Sequence, residues 1–151
     1  AQAVRHIVEP ANEQNLDRLT QILARRWPKA QAIAPAAIAA GLTEYWSPRV
    51  IGEVDDAYIK VAKVLGTLAW HSHADEDEMF LVLKGQLKIE MEHDSVVLNA
   101  GEMFIVPKGV RHNPVATEEC QLLLIERKST RHTGEVDTEK TRSLAEQLRP
   151  V

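Results

Sequence analysis

From Val50 onward the chain is a succession of short apolar runs, each closed by turn residues, with no run at helical spacing between them. The runs are Val50 to Val54, Ala57 to Leu65, Leu68 to His73, Met79 to Leu83, Gln86 to Glu92, Ser95 to Leu98, Met103 to Val106, His112 to Ala116 and Cys120 to Glu126. Within Gln86 to Met91, the side chains of Leu87, Ile89 and Met91 alternate with Lys88 and Glu90, as a strand with one wet face requires. Gly66, Gly85, Gly101 and Gly109 fall between runs, where turns need a positive φ or a missing side chain. A parallel sheet would need a crossover helix between successive strands, and this region offers none. The pattern therefore predicts an all-β domain, an antiparallel sandwich or barrel.

The first fifty residues read differently. Leu16, Leu19, Leu23 and Trp27 recur at spacings of three and four, one apolar stripe on a helix, with Asn12 or Asn15 placed to cap it and Pro28 to stop it. Ala30 to Ala40 is a second, alanine-rich helix candidate with Pro35 inside it and Gly41 as its C-cap. A short C-terminal helix is expected after Thr138, with Leu144 and Leu148 on one face and Pro150 ending it. The expected organisation is a helical N-terminal extension over residues 1–48 packed on the barrel or a second subunit, a barrel over 49–128, and a tail with its helix over 129–151.

Composition removes several functional classes. A net charge of -4, without a basic stripe interleaved with aromatics, lacks the footprint of a nucleic-acid binder. The uncharged stretch Ala30 to Leu42 is too short and too interrupted to span a bilayer, so no membrane role is expected. The single cysteine, Cys120, excludes an internal disulfide, fits a cytoplasmic protein, and reads as a small buried hydrophobe.

The chemistry concentrates in two places. On a strand, His71 and His73 would face the same side, which makes them a preassembled half of a metal site. Glu78 lies just past the acidic turn, where it would bring a carboxylate beside them; Glu76, in the same turn, competes for that role. His112, in a second glycine-bounded segment, could supply a third imidazole from another strand. His6, His93 and His132 carry no such pattern and read as ordinary surface or core residues. Phe80 and Val82 share the parity of Glu78 and are expected to line the pocket, whereas Trp70 and Arg111 should point away from it.

These two segments resemble the paired motifs of the cupin superfamily. Gly66, His71, His73, Glu78 and Gly85 fall in the order of the first motif. Gly101, Pro107, Gly109 and His112 fall in the order of the second. Two details depart from the pattern: four residues rather than five separate Gly66 from His71, and the asparagine usual a few residues after the second-motif histidine is missing, although Asn113 is adjacent. The resemblance implies a small, RmlC-like jelly-roll barrel, often a homodimer, holding one divalent metal ion inside its mouth through His71, His73, Glu78 and His112. That donor set, without a thiolate, suits Fe, Mn, Ni, Co or Zn. It implies a mononuclear metal-dependent enzyme acting on a small organic substrate, of oxygenase (dioxygenase-like), lyase, decarboxylase or isomerase type. The alternatives are a barrel that senses or stores a small ligand without turnover, and one in which the metal only pins the fold.

Overall fold

The computed structural model describes residues 16–18 and 30–151. The chain divides into two compact units, residues 1–32 and 33–151. In the first unit residues 16–18 are helical. The rest of the apolar stripe (Leu19, Leu23, Trp27), its capping asparagines, its stop at Pro28, and His6 lie outside the described residues.

In the second unit, α1 spans Pro35–Gly41 and begins on its proline, so residues 30–34 stay non-helical. The physical reason is that a proline has no N–H to give and is accommodated in the first turn, where that N–H would have no partner. Gly41 is the last helical residue and Leu42 the cap, one position beyond the expected end. Near the C-terminus α2, Leu144–Gln147, is started by a capping box: the Ser143 hydroxyl accepts from the Glu146 N–H while the Glu146 carboxylate accepts from the Ser143 N–H.

Seven strands form the body: β1 Arg49–Val54, β2 Ala57–Thr67, β3 Glu78–Lys84, β4 Gln86–Met91, β5 Ser95–Asn99, β6 Met103–Val106 and β7 His112–Arg127. All the strand pairings are antiparallel, in the order β1-β2-β7-β3-β6, with β4 joining β5 and β7. The alternating runs call for an antiparallel sandwich or barrel, and the strand order is that of the jelly roll the cupin resemblance implies. Inward positions supply the core: Ala62 and Val64 from β2, Phe80 and Val82 from β3, Leu87 and Ile89 from β4, and Leu122 and Leu124 from β7. Fully burying a side chain of this size contributes roughly 1.5–3 kcal/mol.

Two expected strands, His112 to Ala116 and Cys120 to Glu126, are one. The exposed triplet Thr117-Glu118-Glu119 between them is a bulge rather than a turn. Opposite it, β2 advances two residues, from Val64 to Gly66, while its partners on β7 are Cys120 and Ala116, four apart. The chain bends there without reversing. Gly85, between β3 and β4, has to be a glycine: its φ is +85° and a Cβ would sit 2.8 Å from the Glu119 carbonyl oxygen.

A third expected strand, Leu68 to His73, is reduced to a single bridge between His71 and His112. Those two residues exchange both backbone bonds, His71 N–H to His112 at 2.9 Å and His112 N–H to His71 at 2.8 Å. The next hydrogen-bonded pair along such a ladder would need an N–H from residue 114, which is a proline. The ladder therefore stops, and only the Leu68 N–H reaches the Pro114 carbonyl, at 3.1 Å. Among the described residues no helix is long and apolar enough to cross a membrane.

Candidate metal centre

The broken ladder shapes the site. The Ala69 carbonyl, which an N–H at position 114 would engage, accepts instead from Nδ1 of His71 at 2.9 Å. His112 is held in the same way, its Nδ1 donating to the Val110 carbonyl at 3.0 Å. With Nδ1 committed as the donor, Nε2 of each ring faces inward, and in the neutral His71 ring it carries the lone pair. The third imidazole, His73, is fixed through its backbone: its carbonyl accepts from the Gly109 N–H at 2.7 Å. Glu78 opens β3, and its Oε2 lies 3.2 Å from Nε2 of His73 and 3.0 Å from Nε2 of His112. The four side chains are buried, and one ligand atom from each lies within 4.8 Å of all the others.

The electrostatics are those of a site arranged for a cation. Burial pushes His71 down to about 4, so its ring is neutral near pH 7. Its Nε2 is then a buried acceptor with no hydrogen-bond partner. Burial alone would raise Glu78, but hydrogen bonds with His112 and His73 outweigh it and hold the carboxyl well below the usual carboxylate range. Burial also opposes a charge on His73, and the hydrogen bond and charge of Glu78 reverse that and raise it. The unpaired buried acceptor on His71 is unfavourable as it stands, and it lies among the Nε2 atoms of His73 and His112 and the Glu78 carboxylate. His71, His73, Glu78 and His112 would each offer one of these atoms to a divalent ion, so the residues fit a metal.

The other expected residues sort clearly. Glu76 stands outside the cluster, accepting from the Ser129 hydroxyl at 3.1 Å. Phe80 is buried edge-on to His112, with ring centroids 6.2 Å apart, and lines a cavity of about 30 Å³ beside Glu78. Val82 is buried in the hydrophobic core. Arg111 turns outward, 5.7 Å over the Trp70 ring and 3.9 Å from Glu92.

Three polar residues with no role in the sequence reading line or border the same interior. Lys60 and Glu126 are both almost fully buried and pair at 3.0 Å. Burial, followed by the charge of Glu78, pushes the Glu126 carboxyl up, against the pull of Lys60. His132 also lines the cavity with Glu78, Phe80 and Glu126, and burial pushes it down to about 4. A signal for two of them was available: Lys60 shares the inward parity of Ala62 and Val64, and Glu126 that of Leu122 and Leu124.

The Cupin domain model matches residues 61–126, which run from within β2 to near the end of β7 and include all four clustered side chains. The protein YdbB of Bacillus subtilis (strain 168) is 35% identical over 79 residues, which is 52% of this chain and 70% of that protein. The chain belongs to the cupin superfamily. Among solved structures, a cupin-2 domain containing protein from Shewanella frigidimarina NCIMB 400 is 44% identical, with a TM-score of 0.62 over 64% of this chain and 94% of that one. Protein NMB1881 from Neisseria meningitidis is 31% identical, with a TM-score of 0.59 over 64% of this chain and 99% of that one. The shared region is the cupin barrel, and its glycine-bounded motifs hold the three histidines and the glutamate described above.

Proposed function

We propose that this cupin holds one divalent metal ion through His71, His73, Glu78 and His112, and uses it as an enzyme on a small organic substrate. The observation that carries the reading is the buried Nε2 of His71, an acceptor without a partner, aimed into a group whose other members are two further imidazoles and a carboxylate. When bound, such an ion supplies Lewis acidity, and with a six-coordinate metal two positions stay open for oxygen ligands. The chain's own part is to fix the tautomers of His71 and His112 through the Ala69 and Val110 carbonyls, and to keep Glu78 ionised. Phe80 packs edge-on against His112 and, with Glu78, lines the small cavity beside the group. Oxygenase, lyase, decarboxylase and isomerase chemistries all begin from such a site, and the fold does not choose among them.

A second reading is favoured by the size of the cavity. The cavity beside Glu78 offers only about 30 Å³, far below the volume of ordinary substrate pockets. A candidate metal centre with so little room on that side suits a module that pins its own barrel or senses a very small ligand. Elemental analysis of protein purified without chelators tests the shared claim: about one metal per chain is expected, lost in both His71→Ala and His73→Ala. Absence of stoichiometric metal, or its retention in both variants, refutes it. X-ray absorption then separates the two readings, six-coordination with exchangeable oxygen ligands supporting the enzyme and a closed four-coordinate site the pinned barrel. We also place the homodimer contact on the outer face of β6, β3 and β7, where Met103, Ile105 and Ile125 are exposed side by side in register with Leu81 and Met79.

A further inference from the structure

The segment between His71 and His73 is gripped from two sides. On one side the His71–His112 backbone pair and the Gly109–His73 bond tie both neighbours of Ser72 to the barrel. On the other lies Gly134, in the loop that follows β7. Its φ is +56°, and a Cβ built on it would lie 2.2 Å from the Ser72 carbonyl oxygen, 3.2 Å from its carbonyl carbon and 3.4 Å from its nitrogen. No real Cβ tolerates the first of these distances, so this backbone-on-backbone contact exists only because residue 134 is glycine. The close approach is a property of the site rather than of a stray loop, because the same loop is built into the barrel's interior. His132 lines the cavity with Glu78 and Phe80. Thr133 is fully buried and its hydroxyl meets that of Thr141 at 2.8 Å. Lys140 donates from Nζ to the Thr67 carbonyl, closing the loop back onto the end of β2.

We propose that Gly134 is a positioning residue of the metal centre, setting the separation of His71 and His73 by packing its bare backbone against the Ser72 peptide. The proposal rests on the reading of these histidines as metal ligands. The three atoms nearest a Cβ at position 134 all belong to the Ser72 backbone and none to a ligand side chain. Gly134 acts through the Ser72 peptide, to which both imidazoles are attached through adjacent residues. An added methyl has to push that peptide away, and since the His71 and His73 backbones are pinned to His112 and Gly109, the displacement falls on the angle between the two rings. Metal sites tolerate little of this: supports behind the ligands typically change affinity by about 10–100-fold when lost.

The test uses Co(II) alone as the probe, added to metal-free protein and followed by its visible absorption, with affinity fixed by competition against a chelator. Gly134→Ala should weaken Co(II) binding about 10–100-fold. Gly85→Ala is the matched control: it too has a positive φ and a carbonyl in the way, but it lies at the other end of β3 from Glu78. It should lower thermal stability and leave Co(II) affinity unchanged. Pulsed EPR of the Cu(II)-loaded proteins supplies a signature that mere destabilisation would not move, since fewer coordinated imidazoles are expected in Gly134→Ala than in the parent or in Gly85→Ala. If Gly134→Ala does not fold, Thr133→Val replaces it, loosening the same loop without a clash; several-fold weaker Co(II) binding is expected. Unchanged affinity in Gly134→Ala, or in Thr133→Val where that is the one measured, or equal losses in Gly134→Ala and Gly85→Ala, overturns the positioning role while leaving the metal reading intact. A parent protein that fails to bind Co(II) overturns both.

Discussion

Replacing Lys60 by methionine removes one member of an ion pair whose side chains are each only 1% exposed and whose charged atoms are 3.0 Å apart. The methionine keeps most of the stem's packing, so the change isolates the charge. Glu126 is then left in the barrel with neither oxygen paired, because Oε1 has no partner even in the parent. Breaking a buried pair in this way costs up to about 3–5 kcal/mol, mostly the penalty of the stranded charge and in full only where Glu126 is ionised. For a chain of this size that corresponds to a fall in Tm of roughly 6–20 °C. The double variant Lys60→Met/Glu126→Leu removes both charges and should recover most of the loss, since the pair itself contributes little net stability over an apolar filling.

The pH dependence is a sharper check. In Lys60→Met, burial and the charge of Glu78 still raise the Glu126 carboxyl, now without Lys60 to oppose them. Its folded pKa, already pushed up to about 7 in the parent, moves higher still, so the variant loses stability relative to the parent as pH rises through that value. The deficit should be small near pH 5 and largest near pH 8. Urea unfolding of metal-free parent, single and double variants at both pH values measures it. A loss below about 1 kcal/mol, a loss independent of pH, or a double variant no better than the single would refute the account.

Burial holds His132 down to about 4, so between that value and the ordinary 6.5 the unfolded chain binds the extra proton and stability drops as pH falls. By that linkage the parent should lose about 2 kcal/mol more than His132→Gln between pH 7 and pH 5, measured by denaturant unfolding of the metal-free proteins. Burial also pushes the Cys120 thiol up to about 11, so the native protein should resist a thiol reagent at pH 8 and react only at the rate of unfolding. Ile105→Lys places a charge in the exposed strip beside Met103 and Ile125 and should convert a dimer to monomers by sedimentation with Tm little changed; an unaffected dimer moves the contact elsewhere.

What the sequence made legible was local. Alternation in Gln86 to Met91 and the glycines at 85, 101 and 109 locate strands and turns within a residue or two, because each depends on near neighbours, whereas Gly66 lies inside β2 and its positive φ serves the bulge opposite β7. His71 and His73 were placed on one face by strand parity, and they do converge, yet the segment is not a strand. A proline at 114, more than forty positions away, ends its ladder and frees the Ala69 carbonyl for the His71 ring. The polar residues of the interior were legible by parity but not by partner. Lys60 and Glu126 each show as inward charges in apolar company, and their pairing follows only from the β2–β7 register, where Tyr58 meets Glu126 and Lys60 meets Leu124. Gly134 gave no signal, since its requirement comes from a carbonyl on a segment far away in the chain.

The same register explains why a single long strand can serve both ends of one carboxylate's surroundings. His112 opens β7 and meets Glu78 directly at 3.0 Å. Glu126 lies near the other end of β7, where Met79 pairs with Ile125 and so brings Glu78 alongside it. Fourteen residues of straight strand would separate the two by about 46 Å. Both reach Glu78 only because β7 pairs with β4 over its first residues, bends at the Thr117–Glu119 bulge, and pairs with β3 afterwards. The polar triplet that hid the continuity of β7 in the sequence is thus the feature that closes the barrel around its candidate metal centre. It also confines the interior's charges to one end: Glu78 gathers His112 and Glu126 there, while Leu87, Ile89, Leu98 and Leu122 keep the rest of the core apolar.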